Sequence, residues 1–134
     1  MMLKGKKVKE GRAEGEALVC HEDFSFSSAD VKTGKIIEKG HAIEGQNIAG
    51  KVLVIPTGTG STGGSYIIYE MAKVGSAPKA ILADTADEIT ATGAIMGNIP
   101  MIHRFDRNPV EAIKTGDRIE LDAEKAIVEI RSEI

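Results

Sequence analysis

The sequence predicts an α/β fold: a mixed sheet or small barrel with flanking helices. Three observations lead there. The middle of the chain alternates apolar, β-branched runs with stretches of helical period, as in "KVLVIP" followed by "GSYIIYEMAKVGS". Both ends are β-rich, and the last stretch reads as a hairpin. The 15 glycines are spread along the chain, which suggests many tight turns between short elements. Strand–helix alternation between β-rich ends argues against a regular doubly wound sheet.

In order, residues 1–50 read as turns and short strands. "KVKEGRAEGEALV" alternates loosely and is charged, as an exposed or edge strand would be. In "HEDFSFSSADVKTGKIIEKGH", Phe24 and Phe26 alternate with Asp23, Ser25 and Ser27, so both rings point to one side and anchor a loop on the core. "KVLVIP" is a fully apolar strand ending at Pro56. The helix after it places Ile67, Ile68, Met71, Ala72 and Val74 mostly on one face and stops at Gly75. "APKAILAD" is a short buried strand. "TADEITATGAIMGNIP" is a helix capped by Thr85 or Asp87, with Ile89, Ala94, Ile95 and Met96 inward and a stop at Gly97-Asn98. "IPMIH" is a strand, and "NPVEAIKTG" a helical turn with Pro109 first and Gly116 just past its end. "DRIELDAEKAIVEI" is the hairpin, with Ile119 and Leu121 on one arm and Ile127, Val128 and Ile130 on the other. With no repeats, linkers or low-complexity tracts, residues 1–134 form one domain.

Composition narrows the function classes. A net charge of −3 with interspersed signs leaves no basic footprint for nucleic acid or a membrane surface. No apolar stretch is long enough to span a membrane, and the charged start is not a signal peptide, so the expectation is a cytoplasmic protein. Aromatic content of 4 % makes a base-stacking surface improbable. The single cysteine, Cys20, is expected as a buried strand residue in a reducing compartment, since one Cys and the adjacent His21 cannot complete a metal site.

Chemistry concentrates in "VLVIPTGTGSTGGSYIIYEM". Gly58-Thr59-Gly60-Ser61-Thr62-Gly63 matches a dinucleotide fingerprint, with Asp84 roughly 20 residues on as the ribose-binding acid. Too little chain follows for a second mononucleotide half. Gly58 to Ser65 also matches a phosphate loop, but Gly64 stands where the lysine must reach the phosphates. A bare nest for some other anion stays open, because backbone N–H groups at a helix N-terminus favour anions without a lysine. In a further reading, small neighbours present Ser61 as a reacting group whose alkoxide the helix tip stabilises. The plain alternative is that Ser61, Thr62 and Ser65 cap the helix.

The ordered series "KVLVIP", "TGTGSTGGSY", "PKAILADTADEITATGAIMGNIPMIHRFD" and "GDRIELD" covers nearly the whole chain and resembles the small subunit of aconitase X-type dehydratases. The resemblance implies a swivelling β/β/α domain, inactive alone and paired with a large subunit that carries an iron–sulfur cluster; no cofactor is expected on this chain. It implies the archaeal mevalonate-pathway reaction, loss of water from (R)-5-phosphomevalonate to trans-anhydromevalonate 5-phosphate, with hydroxyproline as the alternative substrate. Aconitase-type swivel domains present a serine base in a Gly-Ser-Ser-Arg loop, and Gly60-Ser61-Thr62-Gly63 occupies that place. Ser61 is thereby the expected base, with Gly60, Thr62, Gly63 and Gly64 as a backbone nest and Ser65 as a secondary candidate. The family arginine is replaced by Gly63, so carboxylate binding must come from elsewhere. Arg104, beside His103 after "IPMI", is a candidate contact for a substrate phosphate or carboxylate.

The C-terminal half also looks like the mobile phosphohistidine domains of phosphoenolpyruvate-using enzymes. The comparable stretch, "EITATGAIM", has no histidine, which argues against a phosphocarrier. A non-catalytic, anion-binding partner domain is the remaining alternative.

Overall fold

The computed structural model describes residues 1–61 and 63–131. Thr62, a nest candidate, lies outside the described residues. The strands are β1 (Met2–Lys4), β2 (Lys6–Lys9), β3 (Arg12–Val19), β4 (Val52–Ile55), β5 (Ala80–Ala83), β6 (Met101–His103), β7 (Arg118–Asp122) and β8 (Ile127–Arg131). The helices are α1 (Gly63–Val74), α2 (Glu88–Gly97) and the single turn α3 (Pro109–Ala112).

The strand order is β1-β8-β7-β3-β4-β5-β6-β2. β3 to β6 run parallel, while β7, β8, β1 and β2 pair antiparallel, so the expected mixed sheet is present. β1 and β2 stand at opposite ends of this order, yet only Gly5 separates them in sequence. The sheet therefore curls until its ends meet, as the expected small barrel does. Gly5 donates its N–H to Ala126 O of the hairpin at 2.9 Å, at that seam.

Strand periodicity divides the apolar residues between two cores. Leu18, Leu53, Ile81 and Met101 stand in register and face α1 and α2. One residue on, Val19, Val54, Leu82 and Ile102 face the barrel interior with Leu3, Ile119 and Val128. Because both faces of β4 and β5 are covered, every residue of these strands is buried, hence their uninterrupted apolar runs.

β3 is not an edge strand. It joins the parallel and antiparallel parts, with Arg12, Glu14 and Glu16 exposed while Gly15 and Ala17 are buried. Only β2 of that stretch lies at an end of the strand order. The loop after β3 is anchored as its aromatic spacing predicts. Phe24 and Phe26 are buried, with ring centroids 4.9 Å apart and edge to face, and His41 lies against Phe24 at 5.6 Å. In the hairpin, Val128 and Ile130 are buried and Ile127 is only half-buried, because alternation turns it to the other side.

The helices pack on each other by short-side-chain ridges. A Cβ on Gly64 would meet Ile89, one on Gly93 would fall 2.5 Å from Ile68, and one on Gly97 would meet Ala72 at 3.0 Å. Positions 64, 68 and 72 of α1 thus lie along 89, 93 and 97 of α2, a ridge-to-ridge contact on the i, i+4 rows. This close approach changes which residues face inward. Ile68, Met71, Thr90, Gly93 and Ala94 are buried, whereas Val74, Ile95 and Met96, expected inward, are exposed. No helix among the described residues is long and apolar enough to cross a membrane.

Candidate active site

The parallel strands all present their C-terminal ends at one edge, where loops of an α/β sheet collect ligands. Three segments meet there. β4 leads through Pro56 into the glycine loop, β5 into the turn at Asp84–Asp87, and β6 into His103–Arg104.

The glycine loop is braced on two sides. On one side, Phe24 N–H donates to Thr57 O and Thr59 N–H to Phe24 O, both at 3.0 Å, so the Phe24 segment runs beside the loop like a short strand. On the other, Asp87 Oδ1 accepts the Gly58 N–H at 3.0 Å. A Cβ on Gly58 would lie 2.0 Å from Thr90 Oγ1 and 2.3 Å from Asp87 Oδ1, so this position requires glycine by close approach. Gly60 then turns with φ of +124°, a conformation that favours glycine, beside the Ser25 hydroxyl. Past this braced turn Ser61 is exposed at the head of α1.

The predicted nest separates into two kinds of residue. Gly64 N–H donates to Ser61 O at 2.9 Å, closing the turn, and Ile89 fills the space beside its Cα. Ser65 is buried, and its hydroxyl donates to Ile89 O at 2.7 Å. Ser65 therefore ties α1 to α2 rather than capping α1, and both its hydroxyl and the Gly64 N–H have internal partners. Gly63 differs: a Cβ there would meet only Ser61 Oγ, at 3.8 Å, so packing does not explain its glycine. Among the described residues of the loop, exposed Ser61 and Gly63 are the candidate positions left without a packing explanation.

Arg104 is exposed, with φ of +52°, and its N–H donates to Asp84 O at 3.0 Å. It follows β6, two strands from β4, or about 10 Å at ordinary strand spacing, so it shares the edge with Ser61 without closing on it. His103 Nδ1 accepts the Ala86 N–H at 2.9 Å. Burial first, then the charges of Arg104 and Lys6, hold its imidazole below the ordinary range. The folded state thus favours neutral His103, and its contribution is complete above the ordinary imidazole pKa and lost as pH falls through the lowered one. Titration by NMR is expected to show His103 protonating at lower pH than an ordinary imidazole, with the Ala86 amide signal shifting in the same step.

Cys20 is fully buried, donates to Glu22 O at 3.3 Å, and has its thiol pKa raised by that burial. Among the described residues no three His, Cys, Asp or Glu side chains gather to hold a metal. A groove of about 580 Å³ opens on the outer face of β3, β7 and β8, away from this edge. Its carboxylates Glu14, Glu120 and Glu129 stand opposite one another in register, with arginines such as Arg118 and Arg131 against them, as on a solvated charged surface. The Ser61 edge carries the exposed serine and a glycine that packing among the described residues does not explain.

Of the two caps the sequence offers, Thr85 and Asp87, the structure uses Asp87; the sequence did not show the second bond of Asp87 or the place of Ser25 beside Gly60. Ser25 was legible in part, since its alternation with the buried rings turns it outward.

These features define a swivel-type β/β/α domain in which a braced loop exposes Ser61 at one edge of a small barrel. The chain belongs to the aconitase X swivel domain family, whose model matches residues 2–130. It is 47 % identical over 131 residues to the phosphomevalonate dehydratase small subunit of Methanocella arvoryzae, covering 97 % of this chain and 99 % of that protein. The protein of the same name from Thermococcus onnurineus is 46 % identical, covering 97 % and 98 %. The crystal structure of Thermococcus kodakaraensis aconitase X in its holo-form superposes with a TM-score of 0.93 at 45 % identity, covering 98 % of this chain and 99 % of that one.

Proposed function

We propose that this chain is the small subunit of a two-subunit, cytoplasmic hydro-lyase that dehydrates (R)-5-phosphomevalonate to trans-anhydromevalonate 5-phosphate. Ser61 acts as the general base. One observation carries the role of Ser61: the open part of the loop, Ser61 with Gly63, is the place at which this family's resemblance to aconitase puts the base. The full-length similarity to phosphomevalonate dehydratase small subunits supports the substrate.

In this reading the Ser61 alkoxide removes a proton from the carbon next to the substrate carboxylate. The C–H electron pair becomes the new C=C bond. The hydroxyl on the neighbouring carbon departs with the C–O electron pair as hydroxide, which together with the proton taken by Ser61 makes up the water lost. The iron–sulfur cluster implied by the family finds no ligand set among the described residues, and it is assigned to the large subunit. Arg104 attracts the substrate phosphate or carboxylate, a role supported by its exposure at the same edge.

Magnitudes explain why a partner is needed. A serine in water is a very weak base, and its ionisation must be assisted by several pK units. A helix N-terminus contributes at most about 2 kcal/mol, or roughly 1.5 pK units. The open edge of this chain leaves the remainder to a surface that excludes water and adds positive charge, which the large subunit supplies.

The test is anaerobic co-expression with the large subunit, followed by an assay of water loss from 5-phosphomevalonate. The pair is expected to turn over and this chain alone to show none. Hydroxyproline dehydration instead would replace the substrate, and no turnover of either compound by an assembled, cluster-loaded pair would overturn the hydro-lyase reading.

A further inference from the structure

We infer that Asp87 is the positioning residue of the Ser61 loop, an inference that rests on the assignment of Ser61 as base. Asp87 is the N-cap of α2, and its Oδ2 accepts the Thr90 N–H at 3.0 Å. A cap needs only one acceptor, and serine, threonine or asparagine serve about as well. Here the second oxygen, Oδ1, leaves α2 and takes the Gly58 N–H at 3.0 Å, 29 residues earlier in the chain. An ionised carboxylate, with two acceptor oxygens, serves both donors at once.

The strut stands on a fixed base. Asp84 N–H donates to Ile55 O at 3.1 Å, Thr85 N–H to Pro56 O at 3.0 Å, and Ala86 N–H to His103 Nδ1 at 2.9 Å. The turn carrying Asp87 is thus tied to β4 and β6 before it reaches the loop. Gly58 without a Cβ lets the carboxylate approach, and only Thr59 and Gly60 separate that contact from Ser61. Between them Gly60, at positive φ, is the soft joint. A base must sit within a fraction of an ångström of its productive position, and supporting hydrogen bonds hold it there.

The experiment uses the assembled two-subunit enzyme with Asp87→Ser, Asp87→Asn and Ser61→Ala. Serine keeps an N-cap acceptor for Thr90 but is too short for Gly58. Asp87→Ser is expected to lower kcat by about 10–100-fold with KM little changed, the scale of a misplacement near 1 Å. Amide exchange at 58–60 is expected to quicken while 88–97 stay protected. Asp87→Asn, whose single carbonyl serves one of the two donors, falls between. A kcat within about twofold of wild type for Asp87→Ser would overturn the inference, as would loss of protection throughout α2, which marks a cap and nothing more. If Ser61→Ala keeps full turnover, the base assignment fails, and faster or unchanged exchange at 58–60 decides for or against the clamp by itself.

Discussion

Ser61→Ala in the assembled enzyme is expected to lose turnover by about 10²–10⁴-fold, the usual contribution of a positioned base, while folding, assembling and melting as wild type does. The structure separates this outcome from the rival one. Ser61 is exposed, and its hydroxyl makes no hydrogen bond to any described residue. The bond that closes the turn uses its carbonyl, which accepts from Gly64 N–H and survives the substitution. If the hydroxyl instead capped α1, its loss would cost about 0.5–2 kcal/mol and spare the chemistry. Thermal melting and steady-state kinetics on one preparation distinguish the two, because the base reading lowers kcat alone and the cap reading lowers the melting temperature alone. Normal turnover with a lower melting point would remove Ser61 from the mechanism.

The same division between local and long-range causes decides what the sequence made legible. Strands β4 and β5 were readable because both faces are covered, so burial writes an unbroken apolar run. The two rings of the Phe24 loop were readable because alternation is local. The inward face of α2 was not. Ile95 and Met96 looked like core residues, but contact with α1 at Gly93 leaves room only for small side chains, and the large ones turn outward. Barrel closure was visible only as an option, since nothing within β1 or β2 states that their partners lie at opposite ends of the strand order. At the candidate site, the exposure of Ser61 was legible from its small neighbours, and Asp87 as one of two candidate helix caps. Its hold on Gly58 crosses 29 residues and leaves no local pattern. Ser65 was read as a secondary candidate for the base or, in the plain alternative, as a cap, because it stands at a helix start; the partner its hydroxyl takes, Ile89 O, belongs to another helix.

Glycine substitutions offer the second large effect, because two glycines of one loop are expected to respond in opposite ways. Gly58→Ala places a methyl 2.0 Å from Thr90 Oγ1 and 2.3 Å from Asp87 Oδ1, ends of short side chains that have little room to give, since Thr90 is buried and both Asp87 oxygens are held by backbone N–H groups. The loop or the helix start must move, at a cost of about 1–3 kcal/mol in unfolding free energy and with Ser61 carried along. Denaturant midpoint and kcat are expected to fall together. Gly63→Ala meets nothing closer than Ser61 Oγ at 3.8 Å and needs no unusual backbone angle, so stability is expected to stay level or rise by up to ~1 kcal/mol, as alanine is the better helix former. Yet the methyl would stand in the space beside Ser61 that the proposed mechanism gives to the substrate. Turnover efficiency is expected to fall tenfold or more, about 1.4 kcal/mol of lost transition-state binding, in a protein as stable as wild type. A helix whose first residue is glycine forgoes stability unless something outside the chain requires the room. Full activity in Gly63→Ala would mean that the substrate never comes so near the helix tip, and Gly63 would then leave the site while Ser61 remained in it.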